Sequence, residues 1–366
     1  MDKIRLGIIG VGQIGKSHIA QYKEIGAAEL VAAADVNEAE LGSVCDERGI
    51  PNRYTDFRKL LERDDLDAVD VCLHNNLHMP VTVEALRAGK HVYCEKPIAG
   101  TYTDGRAMVE AARECGRKLS IQLNTLFTSE TKIAKHLIAE GRLGRLYHAR
   151  SMGYRRRGRP FVDGYGTESF VQKGIAAGGA MYDMGVYHIA QILYLLDRPE
   201  IVRISGKTYQ ETGMDAARRE SSGYDVEELG LGFVKCGDGL TIDIMEAWAI
   251  HLDPFESSSV VGAKGGIRLQ PFSFHTTMSD VEADVTFQLE KTDWRWHQLR
   301  ENEDAYDSPQ QHWIAALQGK TELLPCAELA LDTMLISEGI YLSDRLGREV
   351  TTEEIASGST STAVKL

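Results

Sequence analysis

No apolar run in this chain approaches the ~20 residues needed to span a bilayer, so the sequence does not read as a membrane-embedded protein. Basic residues are in deficit: 41 Lys and Arg against 54 Asp and Glu leave a formal net charge of −13. A phosphate-backbone partner calls for a cationic face, and Arg155-Arg156-Arg157 is too short a run to supply one, so no nucleic-acid partner is expected. Paired cysteine spacing is also missing. Cys45, Cys72, Cys94, Cys115, Cys236 and Cys326 are scattered without a C-x-x-C and mostly lie in apolar runs, which reads as buried thiols in a reducing compartment. The chain enters a strand within a few residues of Met1, leaving no room there for a secretory leader, and it carries no internal repeat. A soluble cytoplasmic protein is expected.

A chain of 366 residues, 43% of them apolar, is long enough for two domains with separate cores. Ile4 to Ile9 reads as a strand that runs into Gly10-Val11-Gly12-Gln13-Ile14-Gly15 and then a helix to about Glu24. In a G-x-G-x-x-G between strand and helix, the first glycine makes the tight turn, the second lets a pyrophosphate approach the backbone, and the third packs helix on strand. The helix N-terminus beside Gln13 and Ile14 would hold the phosphates. The next strand ends at Asp35, whose carboxylate would accept from an adenosine ribose and repel a 2′-phosphate, and no Arg follows, so NAD is favoured over NADP. Ala68 to Leu73 reads as a buried strand opening into His74-Asn75-Asn76-Leu77-His78, polar groups that could line the same cofactor crevice, with Pro80 expected to start a helix. The two histidines lack a third ligand, so no metal is expected.

The strand at Val92-Tyr93-Cys94 stops at Glu95-Lys96-Pro97. In an open parallel sheet the carboxyl ends of the strands line the ligand crevice, which puts Lys96 where a substrate would be. With the strand at Leu119 to Leu123, β segments alternate with helices throughout, giving a doubly wound parallel sheet of Rossmann type over residues 1–124. Residues 125–350 then read as an α+β domain with a large, open, mainly antiparallel sheet. Its expected strands are 146–154, 201–208, 227–234, 240–249, 257–261 and 284–289, with helices at 130–140, 310–317 and 326–346. Residues 351–366 read as a flexible tail. In the second domain, Gly178-Gly179 opens a helix on which Asp183 and Tyr187 share a face, with His188 turned roughly 100° further round.

These motifs together resemble the glucose-fructose oxidoreductase, inositol dehydrogenase and MocA family over nearly the whole chain. The resemblance rests on the Gly loop, the Asn75-to-Pro80 loop, Ala88-Gly89-Lys90-His91-Val92 leading into Glu95-Lys96-Pro97, and the Gly178-to-Tyr187 helix. Val261-Gly262-Ala263-Lys264-Gly265-Gly266 and the ending from Ile340 to Val350 extend it. It implies an NAD(P)-dependent oxidoreductase acting on a sugar, glycoside or cyclitol, with the open sheet making a homodimer or homotetramer. It also implies that Lys96 bonds to the reacting oxygen, that Asp183 is its carboxylate partner, and that Tyr187 stands where many members carry an acid–base His. This chain places a His one position later, at His188, and has Thr125-Leu126 where arginines commonly follow Asn124.

Removing hydride from a secondary alcohol requires a base near the hydroxyl and a positive charge for the developing alkoxide. Lys96 can supply the charge. As base, His188 is chemically the easier choice and Tyr187 the better placed by helix phase. Asn124, Arg155, Arg156, Lys173, Trp248 and His251 are candidates for holding sugar hydroxyls, and Glu95 and Lys96 for touching the cofactor as well. Two rival readings are an enzyme that recycles NAD internally and cleaves or eliminates beside a transient ketone, and a non-catalytic NAD sensor.

Overall fold

The computed structural model describes residues 3–366. The first part of the chain alternates strand and helix: β1 (Ile4–Ile9), α1 (Gln13–Glu24), β2 (Ala28–Ala34), α2 (Glu38–Arg48), β3 (Asn52–Tyr54), α3 (Phe57–Leu61), β4 (Ala68–Val71), α4 (Asn75–Arg87), β5 (His91–Cys94), α5 (Tyr102–Glu114) and β6 (Leu119–Ile121). The strands form one parallel sheet in the order β3-β2-β1-β4-β5-β6. Strand order reverses between β1 and β4, and at such a switch point the carboxyl ends open into a ligand crevice. β4 is buried along its whole length, as its unbroken apolar-rich run requires of a strand covered on both faces.

The second sheet is assembled from later segments. They are α6 (Ser129–Ala139), β7 (Leu146–Tyr154), α7 (Lys173–Ala176), α8 (Val186–Leu195), β8 (Ile201–Tyr209), α9 (Ala216–Ser222), β9 (Leu229–Cys236), β10 (Thr241–Ala247), β11 (Ser259–Gly262), β12 (Gly265–Arg268), β13 (Ser273–Met278) and β14 (Val281–Thr286), then α10 (Glu290–Leu299), α11 (Pro309–Leu317), α12 (Cys326–Leu346), β15 (Val350–Thr351) and α13 (Thr352–Gly358). The nine strands run β14-β13-β12-β11-β7-β10-β9-β8-β15, and only the β7–β10 pair is parallel. One face packs under α8 and α12. On the other, Leu231, Met245 and Met152 lie in register beside the Arg150–Asp243 ion pair. The strand expected at 284–289 sits earlier, at Val281–Thr286, and β3, β12 and β13 were not anticipated. All six cysteines are free, and among the described residues no helix is long and apolar enough to cross a membrane.

Two expectations need correction. Pro80 does not begin a helix: α4 starts at Asn75 and carries Pro80 inside it. A proline there cannot donate to the carbonyl four residues back, and Val364 N–H bonds that Asn76 carbonyl instead, at 3.0 Å. Nor are residues 351–366 a loose tail. Thr351 and Glu354 form a reciprocal capping box that starts α13, Ser359 Oγ accepts from Thr103 N–H at 3.1 Å, and Thr362 N–H donates to Asp104 Oδ2 at 3.0 Å. Each such bond is worth about 1 kcal/mol net, enough together to offset the low apolar content of the segment. Deleting residues 359–366 should therefore speed amide exchange in α4 by about tenfold. Unchanged exchange in α4 would show that the strap contributes nothing to it.

Candidate active site

The crevice starts at the Gly loop. Gly10 has φ +96°, and a Cβ there would lie 2.2 Å from the Cys72 carbonyl oxygen, so the turn admits no side chain. A Cβ on Gly15 would meet the Gly10 carbonyl oxygen at 2.1 Å, whereas Gly12 faces open space. That is the profile a pyrophosphate cradle needs, with free N–H groups at the start of α1, where no side chain caps the helix. Gln13 and Ile14 form the exposed first turn of α1. Asp35 Oδ2 accepts from Val11 N–H and Oδ1 from Asn37 N–H, both at 2.9 Å, so the carboxylate fixes the loop while keeping lone pairs for a ribose.

His74 precedes the first turn of α4 without a side-chain capping bond and is exposed, and Asn75 Nδ2 donates to the Ala176 carbonyl at 2.7 Å, tying α4 to α7. His78 is not a crevice residue. It is fully buried, with its ring nitrogens 2.8 Å and 3.0 Å from the carbonyls of Pro97 and Leu73, and joins the ends of β4 and β5. Glu95 is likewise turned inward. Its Oε1 meets His18 Nε2 at 2.9 Å, and His18 Nδ1 meets Asp70 Oδ2 at 2.8 Å. Burial opposes a charge on His18, but Asp70 and its neighbours more than compensate and keep the imidazole protonated; Glu95, despite burial, is held below the usual carboxylate range by His18. Cys72 Sγ, Asp70 and His18 Nδ1 lie within 4.8 Å of one another, and both ring nitrogens of His18 are engaged by carboxylates.

At the end of β5 the Lys96–Pro97 peptide is cis. Lys96 Nζ lies 2.8 Å from Asp183 Oδ1 and 2.9 Å from the Asp183 carbonyl. Burial works against the ammonium, but Asp183, Tyr187 and Glu95 outweigh it and raise Lys96 above the ordinary lysine value. Asp183 is held below its ordinary value against burial, chiefly by Lys96. Trp248 Nε1 donates to Asp183 Oδ2 at 2.9 Å. Trp248 is fully buried in an apolar cluster with Val162, Tyr224 and Val226, so it anchors Asp183 and offers no face to a sugar.

Residues Met181–Gly185 form a π turn, not the regular α-helix expected. Tyr187 turns its ring face to Lys96, with Nζ 4.9 Å from the centroid, and burial pushes its phenol up to about 12 although Lys96 opposes this. His188 Nδ1 lies 2.9 Å from Glu246 Oε2. Arg155 Nη1 is 3.9 Å from Asp183 Oδ2 and also meets Tyr165 Oη. Asn124, Arg156, Lys173 and His251 are exposed, Lys173 at the start of α7. Thr125 Oγ1 donates to the Tyr187 carbonyl at 2.9 Å, steadying the helix at the position that departs from the resemblance. Sequence reading missed Glu246, Tyr165 and His18. The available signal for Glu246 was a carboxylate on the inward row of β10, following Ile242 and Ile244.

Residues 4–123 match a family described as "Oxidoreductase family, NAD-binding Rossmann fold", and residues 131–268 match "GFO/IDH/MocA C-terminal domain". A D-glucoside 3-dehydrogenase of Escherichia coli (strain K12) is 27% identical over 355 residues, 95% of this chain and 97% of the relative. A myo-inositol 2-dehydrogenase of Thermotoga maritima is 33% identical over 142 residues, 39% of this chain and 42% of the relative. Among solved structures, a levoglucosan dehydrogenase in complex with NADH and levoglucosan superposes with a TM-score of 0.79 at 20% identity, over 96% of this chain and 100% of that one, a likeness of fold.

Proposed function

Because the chain belongs to the GFO/IDH/MocA family of oxidoreductases with an NAD-binding Rossmann fold, we propose that it moves hydride between NAD and a secondary hydroxyl or ketone of a sugar, glycoside or cyclitol. The observation that carries this reading is Lys96, held 2.8 Å from Asp183 Oδ1 at the carboxyl end of β5, with Tyr187 and His188 in the first turn of α8. NAD, when bound, supplies the hydride acceptor. The chain's own residues do the rest: the loop from Gly10 to Gly15 holds the phosphates, Asp35 takes the ribose hydroxyls and disfavours NADP, and Lys96 stabilises negative charge on the reacting oxygen. Tyr187 or His188 accepts the hydroxyl proton. Arg155 and Lys173, with Asn124, line the approach for further hydroxyls. The open face around Leu231, Met245 and Met152 supports self-association into a homodimer or homotetramer.

The test offers purified protein and NAD to a panel of free sugars, inositols and glycosides while absorbance of reduced nicotinamide is followed. A rise with one class is expected. Consumption of a glycoside with no net NADH would replace this reading by internal cofactor recycling, and silence on both counts, with NAD bound, would leave the sensor.

A further inference from the structure

Ile242, Ile244 and Glu246 point from β10 toward the same covered face, where a carboxylate has no water to stabilise it. Glu246 is 0% exposed; burial raises its carboxyl above the usual carboxylate range, while the His188 imidazole and Ser151 oppose that rise. His188 Nδ1 donates at 2.9 Å to Oε2 and lies 3.2 Å from Oε1, while Ser151 Oγ donates to Oε1 at 3.3 Å. Room for the pair comes from β7. Gly153 stands opposite Glu246 in the parallel register, and a Cβ there would lie 2.2 Å from His188 Cε1 and 2.3 Å from Glu246 Oε2. The same inward row continues to Trp248, which holds Asp183. One strand thus supports both Asp183, the partner of Lys96, and His188. His188 keeps 28% of its side chain exposed while Glu246 keeps none, and Nδ1 is the ring nitrogen bonded to the carboxylate.

We propose that Glu246 is the positioning residue for proton transfer, locking His188 with Nδ1–H toward the sheet so that His188 Nε2, and not the Tyr187 phenol, exchanges the substrate's hydroxyl proton. This rests on the dehydrogenase reading above. On oxidation the O–H bond breaks: its electron pair becomes the second C–O bond and its proton goes to Nε2, while the hydride leaves with the cofactor. The resulting imidazolium faces the Glu246 carboxylate, and reduction runs the same proton back. The charged groups facing His188 are Glu246 from β10 and Arg155 from the segment after β7; Asp183 on its own helix is already paired with Lys96. Burial and Arg155 oppose the imidazolium, Glu246 outweighs both, and His188 stays protonated above its ordinary value. Tyr187, pushed up to about 12, supplies little phenolate near neutral pH.

The experiment titrates His188 by NMR in the whole histidine-labelled protein and, separately, records the pH profile of kcat/KM for oxidation. His188 should titrate above ~6.5, and the acidic limb of the profile should share that midpoint. Glu246→Gln should lower both by about one pH unit or more, and Glu246→Asp should restore part of the shift. Tyr187→Phe should change the rate without moving the limb, whereas His188→Gln should erase the limb from whatever activity is left. A limb that stays in Glu246→Gln while the NMR midpoint falls, or one that disappears in Tyr187→Phe, overturns the proposal. Should Glu246→Gln fail to fold, the His188→Gln and Tyr187→Phe pair decides by the same criterion. A wild type that oxidises nothing on the panel overturns the dehydrogenase reading along with this one, whereas an active wild type with an unmoved limb overturns this one alone.

Discussion

Lys96→Met should lower kcat by about 10³-fold, the loss that follows removal of one preorganised positive donor from a developing oxyanion, while NAD binds nearly as before. Lys96 Nζ is the cation held at the end of β5, and its bond to Asp183 at 2.8 Å directs it across the crevice mouth. Methionine keeps the length of the side chain and removes the charge, while Asp183 keeps its bond from Trp248, so the pocket retains its shape. Lys96→Arg should not rescue the loss, because a planar fork replaces a point charge packed over the Tyr187 ring. Steady-state kinetics on the best sugar, with NAD affinity measured by calorimetry, read both effects. A Met variant retaining a tenth of the activity would remove Lys96 from the chemistry.

His18→Leu should cost about 3–5 kcal/mol of folding free energy, because it leaves two carboxylates, Asp70 and Glu95, buried without their shared cation. The imidazole joins them at 2.8 and 2.9 Å, and none of the three side chains is more than 7% exposed. Urea denaturation measures the loss. Replacing all three residues by apolar ones of similar volume should recover most of it, since the penalty is the uncompensated charge and not the absence of the network. The pH dependence has a definite sign. His18 has a raised folded-state pKa, so its contribution is complete below ~6.5 and declines as pH rises, whereas Glu95 has a lowered one, so its contribution is complete above ~4.3 and is lost as pH falls. The advantage of wild type over His18→Leu should therefore peak between about pH 4.3 and 6.5. A difference flat from pH 4 to 8 would mean that packing, not charge, is lost.

The first sheet was legible because its signals are local: an apolar strand, a glycine turn and a helix, repeated. α12 could be bounded to the residue, since Pro325 precedes it and Gly347 ends it in the left-handed conformation. β3 spans three residues, and β12 and β13 are built around Gly265, Gly266, Ser273 and Thr276, so no period-2 apolar pattern marks them. Within the site, Lys96 and Asp183 could be named from the chain because each sits in a distinctive string. The π turn could not, since no residue pattern announces an inserted residue. Glu246 and Trp248 acquire their partners only when β10 is laid beside β7 and under α8, a contact that sequence spacing does not encode.

The strap formed by residues 359–364 bears on how this protein can be dissected. Asp104 and the Thr362 amide that bonds to it are 258 positions apart, and the carbonyl stranded by Pro80 is served from the same distant segment. A ribosome releases the whole six-stranded sheet long before that segment exists, and a recombinant fragment cut after Asn124 never receives it. Such a fragment would expose the Asn76 carbonyl to water and lose the clamp of Asn75 on α7, so its affinity for dinucleotide would describe an unfinished pocket. Helix α4, at the crevice, is held by residues from both ends of the sequence, so dinucleotide affinity is to be measured on the two together.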